Sequence, residues 1–327
     1  MLALGHYPTP VQRLTTLSAP GSELWVKRDD LTHDVYGGNK VRKLEHLLAD
    51  ARAHRARRLV TVGAAGSHHV LATTYFGKRE GFEVEAVLVP QPRTPHVAEV
   101  LRADVGLGLR AFPVGSWAAA PFALAGRVVR GARLITVGGS SAVGSMGYVT
   151  AARELAAQVR AGELPEPDVC VVALGSGGTA GGLAAGFEAE RMKTRVVGVC
   201  VSEPPWVLRL ASLHLARACA RRSGVRVRFE ALRSRLAMDT RYLGAGYGHP
   251  TTEGDAASRV AREVGLTLDP TYTAKTFASA LWHVRARRAG VVLYWHTLSS
   301  APMDRLLEGA PAESALDVRL RRLLLAC

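Results

Sequence analysis

Apolar positions along the chain follow two periods that take turns. Leu24–Arg28 is a short strand-like run. Val41, Leu44, Leu47, Leu48 and Ala51 then fall at the spacing of one helix face. The same exchange repeats through Leu59-Val-Thr-Val62 and a helix from Val70 to about Arg79, then Val84–Val89 and a helix opened by Pro95. Leu109–Val114 and Arg133–Val137 read as strands with an alanine-rich helix between them, and a further helix runs from about Tyr148 to Ala161. Asp168–Leu174 is almost continuously apolar, as a strand buried on both faces must be. Arg195–Val201 follows it as another strand. Alternation of this kind predicts an α/β fold with parallel sheets. The organisation expected is a larger domain built from residues 1–50 and 151–327, with a smaller α/β domain, 51–150, inserted. Gly162-Glu-Leu-Pro-Glu-Pro167 marks a loop near the return point.

Composition narrows the class. With 327 residues, 48% of them hydrophobic, and 33 glycines, the chain suits a packed enzyme of two domains. No apolar run reaches the roughly 18–20 residues of a membrane span. Met1-Leu-Ala-Leu-Gly-His6 lacks a signal-peptide pattern, so the cytoplasm is the expected location. Cys170, Cys200, Cys219 and Cys327 show no C-x-x-C spacing, and Cys170 and Cys200 sit in strand-like runs, as buried free thiols would. The histidines form no H-x-x-x-H pair, and no metal is expected. A net charge of +14 raises a nucleic-acid reading, but the arginines are dispersed and no nucleic-acid motif accompanies them. Their milder effect would be to steer anionic substrates such as amino-acid carboxylates.

Two glycine-containing stretches carry the candidate chemistry. In Gly37-Gly-Asn-Lys-Val-Arg-Lys-Leu-Glu45, the glycines supply a turn and Asn39 can cap the helix that follows. Lys40 lies in the first turn of that helix, beside Arg42 and Lys43. A positive helix end and neighbouring cations should push its pKa down, as a covalently reacting lysine requires. Gly175-Ser-Gly-Gly-Thr-Ala-Gly-Gly182 follows the buried strand and precedes a helix, which is the layout of an anion cradle. Gly175, Gly177 and Ala180 also fit a dinucleotide fingerprint, with Glu203 as its ribose-binding acid. That reading would make the protein a nicotinamide-dependent oxidoreductase. A lysine paired with a cradle for one phosphate monoester points instead to pyridoxal 5'-phosphate.

These motifs resemble those of the 1-aminocyclopropane-1-carboxylate deaminase and D-cysteine desulfhydrase family, whose members are pyridoxal-phosphate enzymes. Gly37–Glu45 looks like the family's cofactor-lysine motif, and Gly175–Thr179 like its phosphate loop. Gly244-Ala-Gly-Tyr-Gly-His-Pro250 and Leu268-Asp-Pro-Thr-Tyr-Thr-Ala-Lys275 look like its two tyrosine motifs. The matches come in family order over about residues 8–300. The resemblance implies a two-domain fold type II (tryptophan synthase β-like) architecture with parallel-rich, open twisted sheets, flanking helices and a homodimer. It implies that Lys40 carries the cofactor and shuttles protons, that Gly175, Ser176, Gly177, Gly178 and Thr179 hold the phosphate, and that Asn39 and Thr297 also touch the cofactor. Ser67 would act as nucleophile or proton relay near the substrate carboxylate, and Tyr247 and Tyr272 would flank the substrate. From the sequence alone, Ser67 could instead merely cap the following helix, and Tyr272 could equally be a core tyrosine with its hydroxyl satisfied.

Departures from the family pattern bear on the substrate. His68 stands where the family has a cofactor-touching asparagine. Thr273 stands where deaminases carry a glutamate facing the pyridine nitrogen and desulfhydrases commonly a threonine; a hydroxyl there should leave that nitrogen less protonated. Ala274 replaces a glycine, and His296-Thr-Leu-Ser-Ser300 replaces His-Thr-Gly-Gly, making the pocket floor near Thr297 bulkier and more polar. The expected reaction is β-elimination from a small amino acid through an aminoacrylate, giving a 2-oxo acid and ammonia, as in a D-cysteine desulfhydrase. Cyclopropane ring opening and β-replacement are the alternatives within the family, and a basic nucleic-acid-binding protein is one outside it.

Overall fold

Strand β8 (Val169–Leu174) is central to its sheet because it carries apolar side chains for both faces. Val169 and Val171 enter one hydrophobic cluster, while Cys170, Val172 and Leu174 enter another. β9 (Arg195–Cys200) and β11 (Val291–Trp295) divide their residues in the same alternating way. The six-stranded sheet runs β1 (Val11–Arg13), β2 (Glu23–Lys27), β11, β8, β9, β10 (Leu236–Asp239), and only the β1–β2 pair is antiparallel. Helices α5 (Met146–Arg160), α6 (Gly178–Ala189), α7 (Pro205–Arg222) and α8 (Phe229–Arg235) bury their apolar sides in one of these clusters. Helices α9 (Thr252–Glu263) and α10 (Thr273–Arg285) bury theirs in the other.

A second sheet is parallel throughout, in the order β6 (Arg110–Pro113), β4 (Glu83–Val89), β3 (Arg58–Ala64), β7 (Ala132–Ile135). Its helices are α2 (His68–Arg79), α3 (Pro95–Gly106) and the short α4 (Ala120–Ala125). A two-residue pairing of β5 (Gln91–Pro92) with β12 (Leu324–Leu325) ties the end of the chain to this part. This computed structural model describes residues 1–202 and 204–325. Glu203, on which the dinucleotide reading rests, and Cys327 lie outside the described residues.

By contact density the chain forms two units. One comprises Gly5–Lys43 and Ser140–Ser300; the other comprises Met1–Leu4, Leu44–Gly139 and Ala301–Cys327. The segment after Ser300, expected with the larger unit, packs with the smaller one, because β12 finds its partner in β5. Helix α1 (Asn39–Ala53) buries Val41, Leu44, Leu47, Leu48 and Ala51, the five positions that its periodicity singles out. Helix α6 begins at Gly178, five residues before the run that its sequence suggests. Its glycines are poor helix formers, but Gly178–Gly182 are buried, and packing overrides propensity there. Cys170, Cys200 and Cys219 are buried and free. Burial pushes the Cys200 thiol up to about 11 and that of Cys219 to about 12, so both stay protonated at neutral pH. Among the described residues, no helix is long and apolar enough to cross a membrane.

Candidate active site

The three cations at the start of α1 have three different environments. Arg42 is buried in a network of its own. It donates to both carboxylate oxygens of Asp29 at 2.8 and 2.9 Å, and to both of Glu154 at 2.9 and 3.0 Å. Lys27 completes the network, with its ammonium 2.5 Å from Glu154 Oε1. Lys40 is half-buried, and its Nζ donates to Asn39 Oδ1 at 2.8 Å. Its pKa is lowered to about 8. Burial is the cause, partly opposed by the negative charge of Asp269. Of the neighbouring cations invoked from sequence, Arg42 takes no part in this, because it is neutralised by its two acids. Asn39 is the first residue of α1 and spends its side chain on Lys40 and on Thr179 rather than on a helix cap.

Lys43 reaches the second glycine loop. Its Nζ donates to Ser140 Oγ at 3.3 Å, and that hydroxyl is 2.7 Å from Ser176 Oγ and accepts from Gly178 N at 3.2 Å. Burial, then the charge of Lys40, drives the Lys43 pKa well below its usual value. Gly177 precedes α6 in a left-handed conformation (φ 87°) that other residues rarely adopt, which turns the first N–H groups of the helix outward. A Cβ on Gly178 would fall 2.5 Å from Ser140 Oγ and 3.0 Å from Lys43 Nζ, so the absence of a side chain keeps the cradle open. Helix-end N–H groups, the Ser176 and Thr179 hydroxyls and the buried Lys43 amine form a donor set for a phosphate dianion. From sequence, Lys43 was only part of a basic helix start; its reach across the fold to Ser140, 97 residues away, has no local signature.

Asn39 joins lysine to cradle. Its Nδ2 donates to Thr179 Oγ1 at 3.4 Å while its backbone N donates to Thr297 O at 3.1 Å. Tyr272 packs against the loop as well, its ring edge 3.2 Å from where a Cβ of Gly175 would lie. The Tyr272 hydroxyl donates to that of Tyr247 at 2.9 Å, with the rings edge to face. Both rings are half-buried, and burial raises both phenol pKa values. Lys275 donates to Leu243 O at 2.8 Å and Gly246 O at 3.1 Å, which fixes the loop that presents Tyr247. Lys40, Asn39, the Gly175–Thr179 loop, Tyr247, Tyr272, Thr273 and Thr297 thus belong to one unit. Asp269 belongs with them and was missed from sequence. Its carboxylate accepts from Thr271 N, Tyr272 N and Thr273 N, and from the Thr273 hydroxyl.

Ser67 and His68 are in the other unit. Ser67 is the N-cap of α2, and its buried hydroxyl accepts from Val70 N over a long 3.5 Å. His68 opens α2 and pairs with His96 at the start of α3, Nε2 to Nε2 at 2.9 Å, with the rings stacked; His96 Nδ1 lies 3.6 Å from Glu99. The polar floor expected at Leu298–Ser300 is spent on the loop before α1: Ser299 Oγ accepts from Gly37 N at 2.9 Å and Ser300 Oγ donates to Asp30 at 2.5 Å.

Comparison with known proteins agrees with this chemistry. The profile of the family described as "Pyridoxal-phosphate dependent enzyme" matches residues 2–297. D-cysteine desulfhydrase of Yersinia pestis (strain Pestoides F) is 35% identical over 305 residues, covering 88% of this chain and 90% of the relative. D-cysteine desulfhydrase of Salmonella paratyphi A is 34% identical over 305 residues, covering 89% and 91%. The crystal structure of an ACC deaminase homologue superposes with a TM-score of 0.81 at 31% identity, covering 94% of this chain and 95% of its own. The half-buried lysine, the open phosphate cradle and these likenesses lead to one conclusion: the chain belongs to the pyridoxal-phosphate dependent enzymes, on the fold type II architecture.

Proposed function

We propose that the protein is a D-cysteine desulfhydrase-type lyase that eliminates a β-substituent from a small amino acid. The observation that carries this reading is Asn39, which bonds at once to the Lys40 amine and to Thr179 in the phosphate cradle. The choice of substrate is supported by the relatives' names and by Thr273, a hydroxyl where a deaminase would have a carboxylate.

Gly175–Thr179 and Lys43 would hold the cofactor phosphate, and Lys40 its carbonyl carbon. Asn39 and Thr297 would contact the rest of the cofactor. When bound, pyridoxal phosphate supplies an electrophilic carbonyl and an electron-withdrawing ring. Lys40, with its pKa lowered to about 8, gives up its proton far more readily than an ordinary lysine, and its neutral amine would take the α-proton. The resemblance gives Ser67 the part of nucleophile or proton relay. The hydrogen-bonded Tyr272–Tyr247 pair would supply the proton to the departing thiolate. The balance is D-cysteine plus water giving pyruvate, hydrogen sulfide and ammonia. The aminoacrylate released after C–S cleavage hydrolyses in solution. The same reading makes the enzyme a cytoplasmic homodimer, which sedimentation of the purified protein tests.

Cofactor-loaded protein should release equal amounts of sulfide and pyruvate from D-cysteine, and pyruvate from β-chloro-D-alanine. Release of no oxo acid from either would end this reading. Turnover of 1-aminocyclopropane-1-carboxylate to 2-oxobutyrate instead would favour ring opening, and incorporation of an added thiol would favour β-replacement.

A further inference from the structure

Helix α7 ends at a pocket lined by arginines. Gly224, in a left-handed conformation (φ 68°), closes the helix: Gly224 N donates to Arg221 O at 3.1 Å and Val225 N to Ala220 O at 3.0 Å. The chain continues through Val225–Arg228 to α8, and exposure alternates along that stretch, with Val225 and Val227 half-buried and Arg226 and Arg228 exposed. Arg217 and Arg221 are one turn apart on α7 and share a face. These four arginines line a cavity of about 490 Å³, within the roughly 300–1,000 Å³ of small-molecule sites. Its apolar lining includes Val225, Val227 and Leu232, and the last two tie it to the hydrophobic core.

Among the described residues, no ion pair includes any of the four arginines, whereas Arg235, in the next helix, binds Glu188 at 2.6 Å. Glu230, the one acid between positions 217 and 232, does not line the pocket. Capping of the helix end does not account for the cluster. The Ala220 and Arg221 carbonyls already have their donors, and Arg226 and Arg228 lie beyond the helix. Guanidinium groups around a concavity with an apolar floor suit phosphate groups carried on a small organic body. We propose that this pocket binds a small organic polyphosphate of the nucleotide kind, with its phosphates on Arg217, Arg221, Arg226 and Arg228 and its apolar part on Val225, Val227 and Leu232. A nucleic-acid duplex would instead ask for contacts spread along its backbone. The pocket is separate from the phosphate cradle, which meets α7 earlier, at Ser212.

Isothermal titration of the cofactor-loaded enzyme with ATP is the test, because pyridoxal phosphate then fills the cradle. The native protein should bind one ATP per chain, and more tightly than tripolyphosphate, since the adenosine adds contact with the apolar floor. Arg221→Ala with Arg226→Ala should weaken ATP binding about tenfold or more, as loss of charge-assisted hydrogen bonds does. Arg259→Ala with Arg262→Ala removes the same charge from exposed positions on α9 and should leave binding unchanged. Absence of saturable ATP binding overturns the proposal, as does an affinity unmoved by the pocket variant. Equal weakening by both double variants means diffuse charge attraction and also overturns it. Tripolyphosphate binding as tightly as ATP reduces the pocket to a bare anion site, and the nucleotide assignment falls. Binding of a DNA duplex without binding of ATP gives the arginines to nucleic acid and ends the proposal too.

Discussion

Asn39 Nδ2 lies 3.4 Å from Thr179 Oγ1, and this one contact bridges the starts of two helices, α1 with its lysine and α6 with its glycine cradle. The side chain that makes it also accepts from Lys40, so Asn39 sets the distance between the amine and the phosphate site. Asn39→Ala should weaken pyridoxal phosphate retention about tenfold, the effect of losing roughly 1–1.5 kcal/mol of hydrogen bonding. Fluorescence titration of the apoprotein with cofactor measures it.

Lys40 gives a pH prediction with a definite sign. Only the neutral amine attacks the cofactor carbonyl, and its pKa is lowered to about 8. The rate at which the apoprotein develops its visible band on adding pyridoxal phosphate should rise with pH and level off above about 8. An ordinary lysine would keep accelerating toward 10.4. Lys40→Ala should abolish the borohydride-fixed adduct altogether.

The tyrosine pair separates binding from proton transfer. Tyr272→Phe removes the donor to Tyr247, and Tyr247→Phe removes its acceptor. Each should lower kcat/KM for β-elimination by about 10²-fold, the low end for a lost acid–base group, and leave the bound cofactor's spectrum intact. Steady-state kinetics beside an absorption spectrum distinguishes the two effects.

Asp104 offers a stability test away from the site. It is fully buried in α3, and burial lifts its carboxyl to about 8. Thr74 has a single hydroxyl proton and lies 2.9 Å from Val70 O and 2.8 Å from Asp104 Oδ1. If that proton goes to Val70, a protonated Asp104 must be the donor. The folded chain therefore binds a proton that the unfolded chain releases near pH 4. Stability from this group is full below about 4 and declines by about 1.4 kcal/mol per pH unit until the folded value near 8. Asp104→Asn, which donates permanently, should have the higher Tm at pH 7 and lose that advantage near pH 4.

What could be read from sequence was whatever a short stretch decides by itself. The α1 periodicity, the two glycine loops and the lysine between Asn39 and Val41 are local facts of spacing and residue type. What could not be read depends on partners far along the chain. Lys43 meets Ser140, His68 meets His96, and Tyr247 is presented by a loop that Lys275 holds. Asp269 was overlooked because an aspartate before a proline reads as an ordinary turn residue; its four donors become apparent only once α10 is built. The direction of the Lys40 shift was legible, but its cause was not, because burial is a property of the assembled fold.

The quartet of Lys27, Arg42, Asp29 and Glu154 pairs two positive with two negative groups in a largely buried cluster, and that constrains how this sequence can change. Replacing any one member strands an opposite charge among buried groups, at a cost of about 3–5 kcal/mol, whereas exchanging matched partners for well-packed apolar residues can be neutral. Most of the chain's arginines are outside and can be edited singly. These four positions can drift only as pairs, so the segment that delivers Lys40 is held by a covariation rule rather than by any one letter.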